Sequence, residues 1–372
     1  MSLNKRIPAA SGSYAGPYAA IFEFTGGGTS DVTVSGMSFE PDYIKFRRKS
    51  ESSFEYYMHK LEANTWWHTS QGGNSSGTNV SNGSNQVIEW NSDGFTIKGN
   101  SSTSSSVNAS GEDFIGLALY AGNESVTNND GNVTSTVMAS PDAGFSIVQF
   151  TSGGSSTTFG HGLGTAPEIS VVTYAAGSNP AGQYVNTNYY DNVLHNEMRQ
   201  GGGFFAAHSS TDSNTVTHNT DTITVGNAQK SGGDSGIEYT FFCFAEKPHQ
   251  QMGMWLGNFS TSTREVYGMT DSADPKYVRV MFIDSGSSNS DIYQPLYDSV
   301  SGGLYRFDDV LQFSYNSTEY NLNFGAFGEY IRLDWTSNRL LTNSDWYPIN
   351  GRADLNYHYY GIFWGGDNCE IL

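Results

Sequence analysis

One sequence pattern recurs three times along the chain: an aromatic strand, a Gly-rich turn, a Pro-led strand, and a closing aromatic strand. The Pro-led strands start at Pro41-Asp-Tyr-Ile44, Pro167-Glu-Ile169 and Pro275-Lys-Tyr277. The closing strands start at Phe114, Tyr239 and Tyr357, at nearly equal intervals from the first two prolines and a longer one from the third. The opening aromatics keep step as well. Phe24 to Pro41 and Phe150 to Pro167 are identical intervals, and Trp255 to Pro275 is slightly longer. A self-similar period of this size sets the architecture before any single motif does. Proline has no N–H to give to a ladder, so the start of a strand tolerates it best. The glycines before each proline supply the turn.

The reading is three divergent copies of one β module in 372 residues. An extended arm at 1–17 precedes a first module at 18–122, a polar Gly/Asn-rich linker at 123–142, a second module at 143–247 and a third at 248–372. The arm is read either as a flexible leader or as a segment docking on a neighbouring subunit. Composition agrees with an all-β class: 43 Gly, 23 Tyr and 22 Phe stand beside long Ser, Thr and Asn runs, and periodic helix formers are nearly absent. The expected fold is three tandem antiparallel β-sandwiches, jelly-roll-like, with inward residues alternating along each strand.

Charge narrows the partners. With 18 basic against 37 acidic side chains the formal charge is −19, a field that repels phosphate backbones, so no nucleic-acid partner is expected. No run is long and apolar enough for membrane insertion. Met1-Ser-Leu-Asn-Lys-Arg-Ile-Pro8 lacks the apolar run of a secretion signal. The two cysteines do not make a disulfide framework. Cys243 in a closing strand reads as a small buried hydrophobe, and Cys243 and Cys369 read as unconnected thiols.

Chemistry is sparse. The eight histidines show no HxH or HExxH spacing, so neither a metal nor another cofactor is expected. His161, amid Gly-rich turns, reads as a turn residue bonded to its neighbours. The loops at Asn128-Asn129-Asp130-Gly131 and at Asp221 miss the spacing of a calcium loop and read as solvated turns. The aromatic excess points further. Paired rings at Trp66-Trp67, Tyr189-Tyr190, Phe204-Phe205 and Trp346-Tyr347 lie in or beside polar segments. Adjacent strand residues face opposite sides, so one ring of each pair is free to stack on a sugar or fill an interface. Trp66, Trp67, Tyr189, Tyr190, Trp346 and Tyr347 are therefore the candidate ligand-binding residues; the competing reading is that they cap the open ends of the sandwiches.

Several phrases together carry a family resemblance: the Gly-then-Pro strand start, Asp93-Gly-Phe-Thr-Ile97, Asn108-Ala-Ser-Gly-Glu112, and Tyr293-Gln-Pro-Leu-Tyr-Asp-Ser-Val300 followed by Ser-Gly-Gly303. This set resembles the repeated module of tail and virion proteins of marine bacteriophages, including phages of cyanobacteria. The phrase His161-Gly-Leu-Gly-Thr-Ala-Pro167-Glu168 is similar to one common in phage tail fibres. The resemblance spans most of residues 18–365 and implies a non-enzymatic, oligomeric component of the virion surface, a tail fibre or spike serving particle structure and host attachment. It would be made in the host cytoplasm. Its partners would be other virion proteins, further copies of itself (a trimer from the functional class alone) and a host surface glycan or protein. Two alternatives stay open: a purely architectural capsid decoration protein, and a polysaccharide-degrading tailspike.

Overall fold

A computed structural model of the protein describes residues 14–48, 54–62, 65–70, 80–81, 87–100, 103, 106–154, 156–174, 183–187, 198–200, 216–226, 233–256, 264–265, 275–283, 304–306, 332–334, 339–341 and 358–372. The first copy contains β1 (Ala19–Thr25), β2 (Val32–Ser35), β3 (Tyr43–Arg48), β4 (Phe54–His59), β5 (Thr65–Ser70), β6 (Val80–Ser81), β7 (Ile88–Asn91), β8 (Gly94–Ile97) and β9 (Asp113–Leu119). The second contains β10 (Val126–Asn128), β11 (Ser135–Ser140), β12 (Phe145–Thr151), β13 (Thr157–Gly160), β14 (Ile169–Tyr174), β15 (Gln183–Thr187), β16 (Met198–Gln200), β17 (Val216–His218), β18 (Thr222–Val225) and β19 (Glu238–Phe244). The remainder contains β20 (Gln250–Leu256), β21 (Arg264–Glu265), β22 (Pro275–Ile283), β23 (Leu304–Arg306), β24 (Arg332–Asp334), β25 (Arg339–Leu341), β26 (His358–Gly365) and β27 (Cys369–Ile371). Among the described residues the only helical element is one 3₁₀ turn, Lys60–Glu62.

The chain is all-β, and the same pairing recurs along it. In each large sheet the closing strand lies between the opening strand and the Pro-led strand: β1-β9-β3, β12-β19-β14 and β20-β26-β22. A three-stranded sheet accompanies each: β2-β8-β7, β13-β18-β17 and β21-β25-β24. Among the described residues each copy thus combines one larger sheet with one three-stranded sheet. Register explains the repeat. Phe22 pairs with Gly116 and Phe46 with the same Gly116, while Val148 and Val172 both flank Phe241.

The strand entries follow from local chemistry. Gly36 and Gly162 stand at equal distances before Pro41 and Pro167, at φ of 102° and 75°, a left-handed conformation that L side chains rarely adopt. The residue after each proline then donates to the end of the closing strand, Asp42 N to Leu119 O at 2.9 Å and Glu168 N to Phe244 O at 2.8 Å. Pro41 and Pro167 thus sit just outside β3 and β14, whereas Pro275 opens β22 and a register shift follows it.

Each of the first two sandwiches has its own core. In the first, Phe22, Phe24, Phe46, Phe95 and Phe114 pack with Val34, Met58 and Ile97 between the two sheets. In the second, Phe150, Phe159, Phe241 and Tyr239 pack with Val172, Ile223 and Val225. Cys243 belongs to that second core, as its strand position indicates, and both cysteines are buried and outside any disulfide. The expected polar outer face is not found on the closing strands. Ile115, Leu117 and Leu119 of β9, and Phe242 and Phe244 of β19, point away from those cores and are still buried. Over part of this face the two large sheets pack on each other, and Phe244 also meets Trp364 of β26, ring centroids 6.2 Å apart. The ring of Tyr43 lies 5.6 Å from Phe145 and 4.9 Å from Phe242, and Tyr57 and His59 reach Phe242 at 5.7 and 5.4 Å. Gln149 Nε2 also donates to Glu62 Oε1 at 2.7 Å across this junction.

Two segment assignments differ from the sequence reading. Residues 123–142, read as a linker, carry β10 and β11, which extend the second large sheet beyond β12. Val137 and Met138 are both buried, so this segment is held by its own apolar side chains as well as by pairing. Residues 248–372, which the repeat places in the third module, include β27, and β27 pairs with β1 of the first, in parallel. Of the arm, residues 14–17 are described, and Tyr14 packs on Tyr18 and Tyr120 of this same chain with ring centroids 5.6 and 4.9 Å apart.

Candidate functional site

Titratable, nucleophilic and aromatic groups collect at three places among the described residues. The first is the polar end of the second sandwich. Ser170 of β14 and His218 of β17 face each other across the core, Oγ to Nε2 at 2.8 Å. This has the spacing of a nucleophile and its base. Both side chains are buried, His218 Nδ1 has no partner to orient it, and burial drives His218 down to about 3, so it stays neutral. His161 lies nearby and is fully used: Nδ1 accepts from Leu163 N at 3.2 Å and Nε2 pairs with Asn219 O at 3.0 Å, so the protonated nitrogen is Nε2. That is the turn role read from its sequence surroundings. Burial lowers its pKa as well, partly offset by Asn219 O and by the charges of Asp221 and Asp130.

The loop at 128–131 also bonds within itself, while the buried Asn128 Nδ2 has no hydrogen-bond partner among the described residues. Asn128 Oδ1 accepts from Asp130 N at 2.7 Å and Asn129 Oδ1 accepts from the Thr134 hydroxyl at 3.0 Å. Among the described residues no three His, Cys, Asp or Glu side chains converge in a way that would hold a metal ion.

The second place is the start of β3. Asp42 is fully buried; its Oδ2 accepts from Ala121 N at 2.6 Å and Asn123 N at 3.1 Å, and its Oδ1 meets Lys60 Nζ at 2.8 Å. Lys60 also bridges Glu40 at 2.8 Å. Desolvation raises the Asp42 pKa against the opposing pull of Lys60 and the two amides. This is a clasp that fixes the exit of β9, with both carboxylate oxygens facing the protein. The corresponding Glu168 in the second copy is half-buried and raised by burial and by the neighbouring carboxylate of Glu246.

The third place is a surface cluster of aromatics, Tyr14, Tyr18, Tyr120 and Phe39, where the Tyr18 hydroxyl donates to Tyr14 O at 2.8 Å and the Tyr14 hydroxyl to Ser38 O at 3.1 Å. Tyr14 and Tyr120 are only partly buried, so this cluster offers fixed ring surface to the outside. Sequence reading missed it because these rings are dispersed along the chain, and no adjacency marks them.

The candidate ligand residues fall as follows. Trp66 and Trp67 lie on β5, with Trp67 in register with Tyr57 of β4 and Trp66 with Val80 of β6. Tyr189, Tyr190, Trp346 and Tyr347, and the pair Phe204-Phe205, lie outside the described residues.

Fold and site define a β-sandwich protein in which His59, His161, His218 and His249, both cysteines and Asp42 are buried. The chain belongs to a family described as Domain of unknown function (DUF7483), whose model matches residues 15–327. The matched stretch spans the first two copies and part of the third, so the family's unit is larger than a single sandwich. No curated protein and no solved structure matches the chain. No helix among the described residues is long and apolar enough to cross a membrane.

Proposed function

We propose that this chain is a non-enzymatic structural protein of a bacteriophage particle surface, of the tail-fibre or spike kind, serving particle architecture and attachment to the host cell. The virion part of the reading rests on the sequence phrases around Pro41, Pro167 and Tyr293-Gln-Pro. The passive part is supported by one structural observation. The Ser170–His218 pair, which has the spacing of a nucleophile and base, is buried in a core with the histidine held neutral. A scaffold of repeated sandwiches presents similar polar loops and aromatic edges several times over. Weak contacts to a repetitive glycan or protein surface then add through multivalency.

Binding of the purified chain to intact host cells tests this reading. Saturable adsorption without release of new reducing ends from the cell-surface polysaccharide is the expected result. Release of such ends would make the chain a depolymerase and overturn the proposal.

A further inference from the structure

The edge of β1 is closed by a distant segment. β27 runs parallel to β1 with Ala19 opposite Cys369, Ala20 opposite Glu370 and Ile21 opposite Ile371. Tyr18 N and Ala19 N both reach Asn368 O, at 2.9 and 3.3 Å, and Leu372 N donates to Ile21 O at 3.0 Å. Side chains add selectivity. Cys369 is 1% exposed, in a site that admits a small apolar group. The Glu370 carboxylate is clasped by a loop of the first sandwich, receiving Ser38 N at Oε2 (2.9 Å) and the Ser38 hydroxyl at Oε1. Asn368 lies over Gly16, where an added Cβ would collide with its Oδ1, and Gly16 is held at φ 89°. Beyond this the segment is lightly held, since Ile371 and Leu372 are the large hydrophobics most open to solvent among the described residues.

What lies beneath matters as much. β1 reads Ala-Ala-Ile-Phe-Glu-Phe-Thr, and its first four residues are buried. Stripped of β27, Ala19 to Phe22 would form an apolar strand edge with unpaired amides, the sort of edge that templates pairing with another chain. Glu23, exposed on the half of β1 that β27 does not cover, is the one charge along it. A turn with Gly366 at φ 66° joins β27 to β26, and Gly365 N is anchored to His249 O at 3.0 Å, so the segment can leave β1 while β26 stays in place.

We propose that the free side of β1, with the Ser38 loop, is an acceptor site for an extended peptide of the form Asn-Cys-Glu-Ile-Leu. Residues 368–372 fill it in cis as a releasable latch. When the latch leaves, the site takes the same segment of a second copy, joining chains through β-strand addition.

The direct test removes residues 368–372 and follows mass by light scattering over a wide concentration range, then adds a labelled synthetic peptide of residues 366–372. The truncated chain is expected to bind the peptide saturably and the intact chain at least about tenfold more weakly, because its site is filled. A peptide carrying Glu370→Ala is expected to bind about tenfold more weakly, a loss of about 1.4 kcal/mol. Exchange between copies predicts slow formation of higher-mass species by the intact chain at high concentration, reversed by excess peptide. A latch that closes only in cis predicts peptide binding with no such species, and that result would overturn the exchange between copies. A folded truncated chain that does not bind the peptide would overturn the acceptor site itself.

Should truncation prevent folding, thiol labelling of the intact chain decides the matter. Opening of the latch exposes Cys369 alone, whereas Cys243 is released only by unfolding of the second core. Cys369 is expected to react at least about tenfold faster than Cys243. Equal rates would mean that the segment does not open separately, and the proposal would fail.

Discussion

Phe242 of β19 places its ring 4.9 Å from that of Tyr43 of β3, and the two belong to different sandwiches. Both side chains are buried, at 1% and 2% exposure, although each lies on the face of its sheet that points away from its own core. This contact joins the first two sandwiches into one multilayered body.

Removing the Phe242 ring should cost about 3–5 kcal/mol, the range for large aromatic deletions in a core. The paired change Tyr43→Ala should not add to it fully. A double-mutant cycle in urea is expected to give a coupling of about 0.5–1.5 kcal/mol. Strict additivity would mean that the two large sheets do not touch through these rings.

Acid should weaken the fold earlier than its carboxylates alone would dictate. His59 has no partner for either ring nitrogen and His218 has none for Nδ1; burial pushes both down to about 3 from an ordinary 6.5. Between those values the unfolded chain binds protons that the folded chain refuses, so stability is full above about pH 6.5 and falls as pH drops toward 3. Each histidine contributes a slope of about 1.4 kcal/mol per pH unit across that window. Urea midpoints measured from pH 7.5 to 4.5 should drop steeply, and His59→Phe should flatten the profile. An unchanged slope in that variant would contradict the burial of His59 against Phe242.

Glu168 should show the opposite sign. Its pKa is raised in the folded state by burial and by Glu246, so the folded chain holds its proton more tightly than the unfolded chain. Stability from this group is therefore lost as pH rises through the folded value. Glu168→Gln is expected to raise the urea midpoint at pH 7.5 and to change it little at pH 4. A destabilised variant at pH 7.5 would show that the charged form makes a contact worth keeping.

Asn108 holds a turn that the glycines alone cannot fix. Its Oδ1 accepts from Gly27 N at 2.8 Å, and its Nδ2 donates to Gly28 O and Ser30 O at 3.1 and 2.9 Å. Asn108→Ala strands three backbone groups beside a buried site and should cost about 2–4 kcal/mol. Asn108→Asp keeps the bond from Gly27 N but turns two donors into acceptors facing carbonyls, so it should cost at least as much. An alanine variant that unfolds in urea within about 0.5 kcal/mol of the parent, as an uninvolved surface site would, refutes this role.

The repeat was legible because it is written in local chemistry: a proline that cannot donate, glycines at positive φ, and rings at a fixed interval. The same holds for Cys243, set by its strand position, and for one side of His161, whose Nδ1 meets nearby Leu163 N while its Nε2 partner, Asn219 O, is distant in sequence. Burial of both faces also has a local signal. Phe114 to Leu119 and Tyr239 to Phe244 are nearly continuous apolar runs, which mark strands covered on both sides. Residues 123–142 look polar because β10 is short and both β10 and β11 lie toward an edge of their sheet. The pairing of β27 with β1 has no local signal at all, since it joins strands from opposite ends of the chain, Ala19 to Cys369. The Tyr14, Tyr18 and Tyr120 cluster is hidden in the same way, by separation along the sequence.

The measurement that bears most directly on the functional reading is electron microscopy of the particle encoded with this chain, with density assigned to it. The account predicts surface density, at a tail or spike, into which the sandwiches fit with the sheets of β3 and β19 face to face. Purified particles that lack the chain altogether would contradict it.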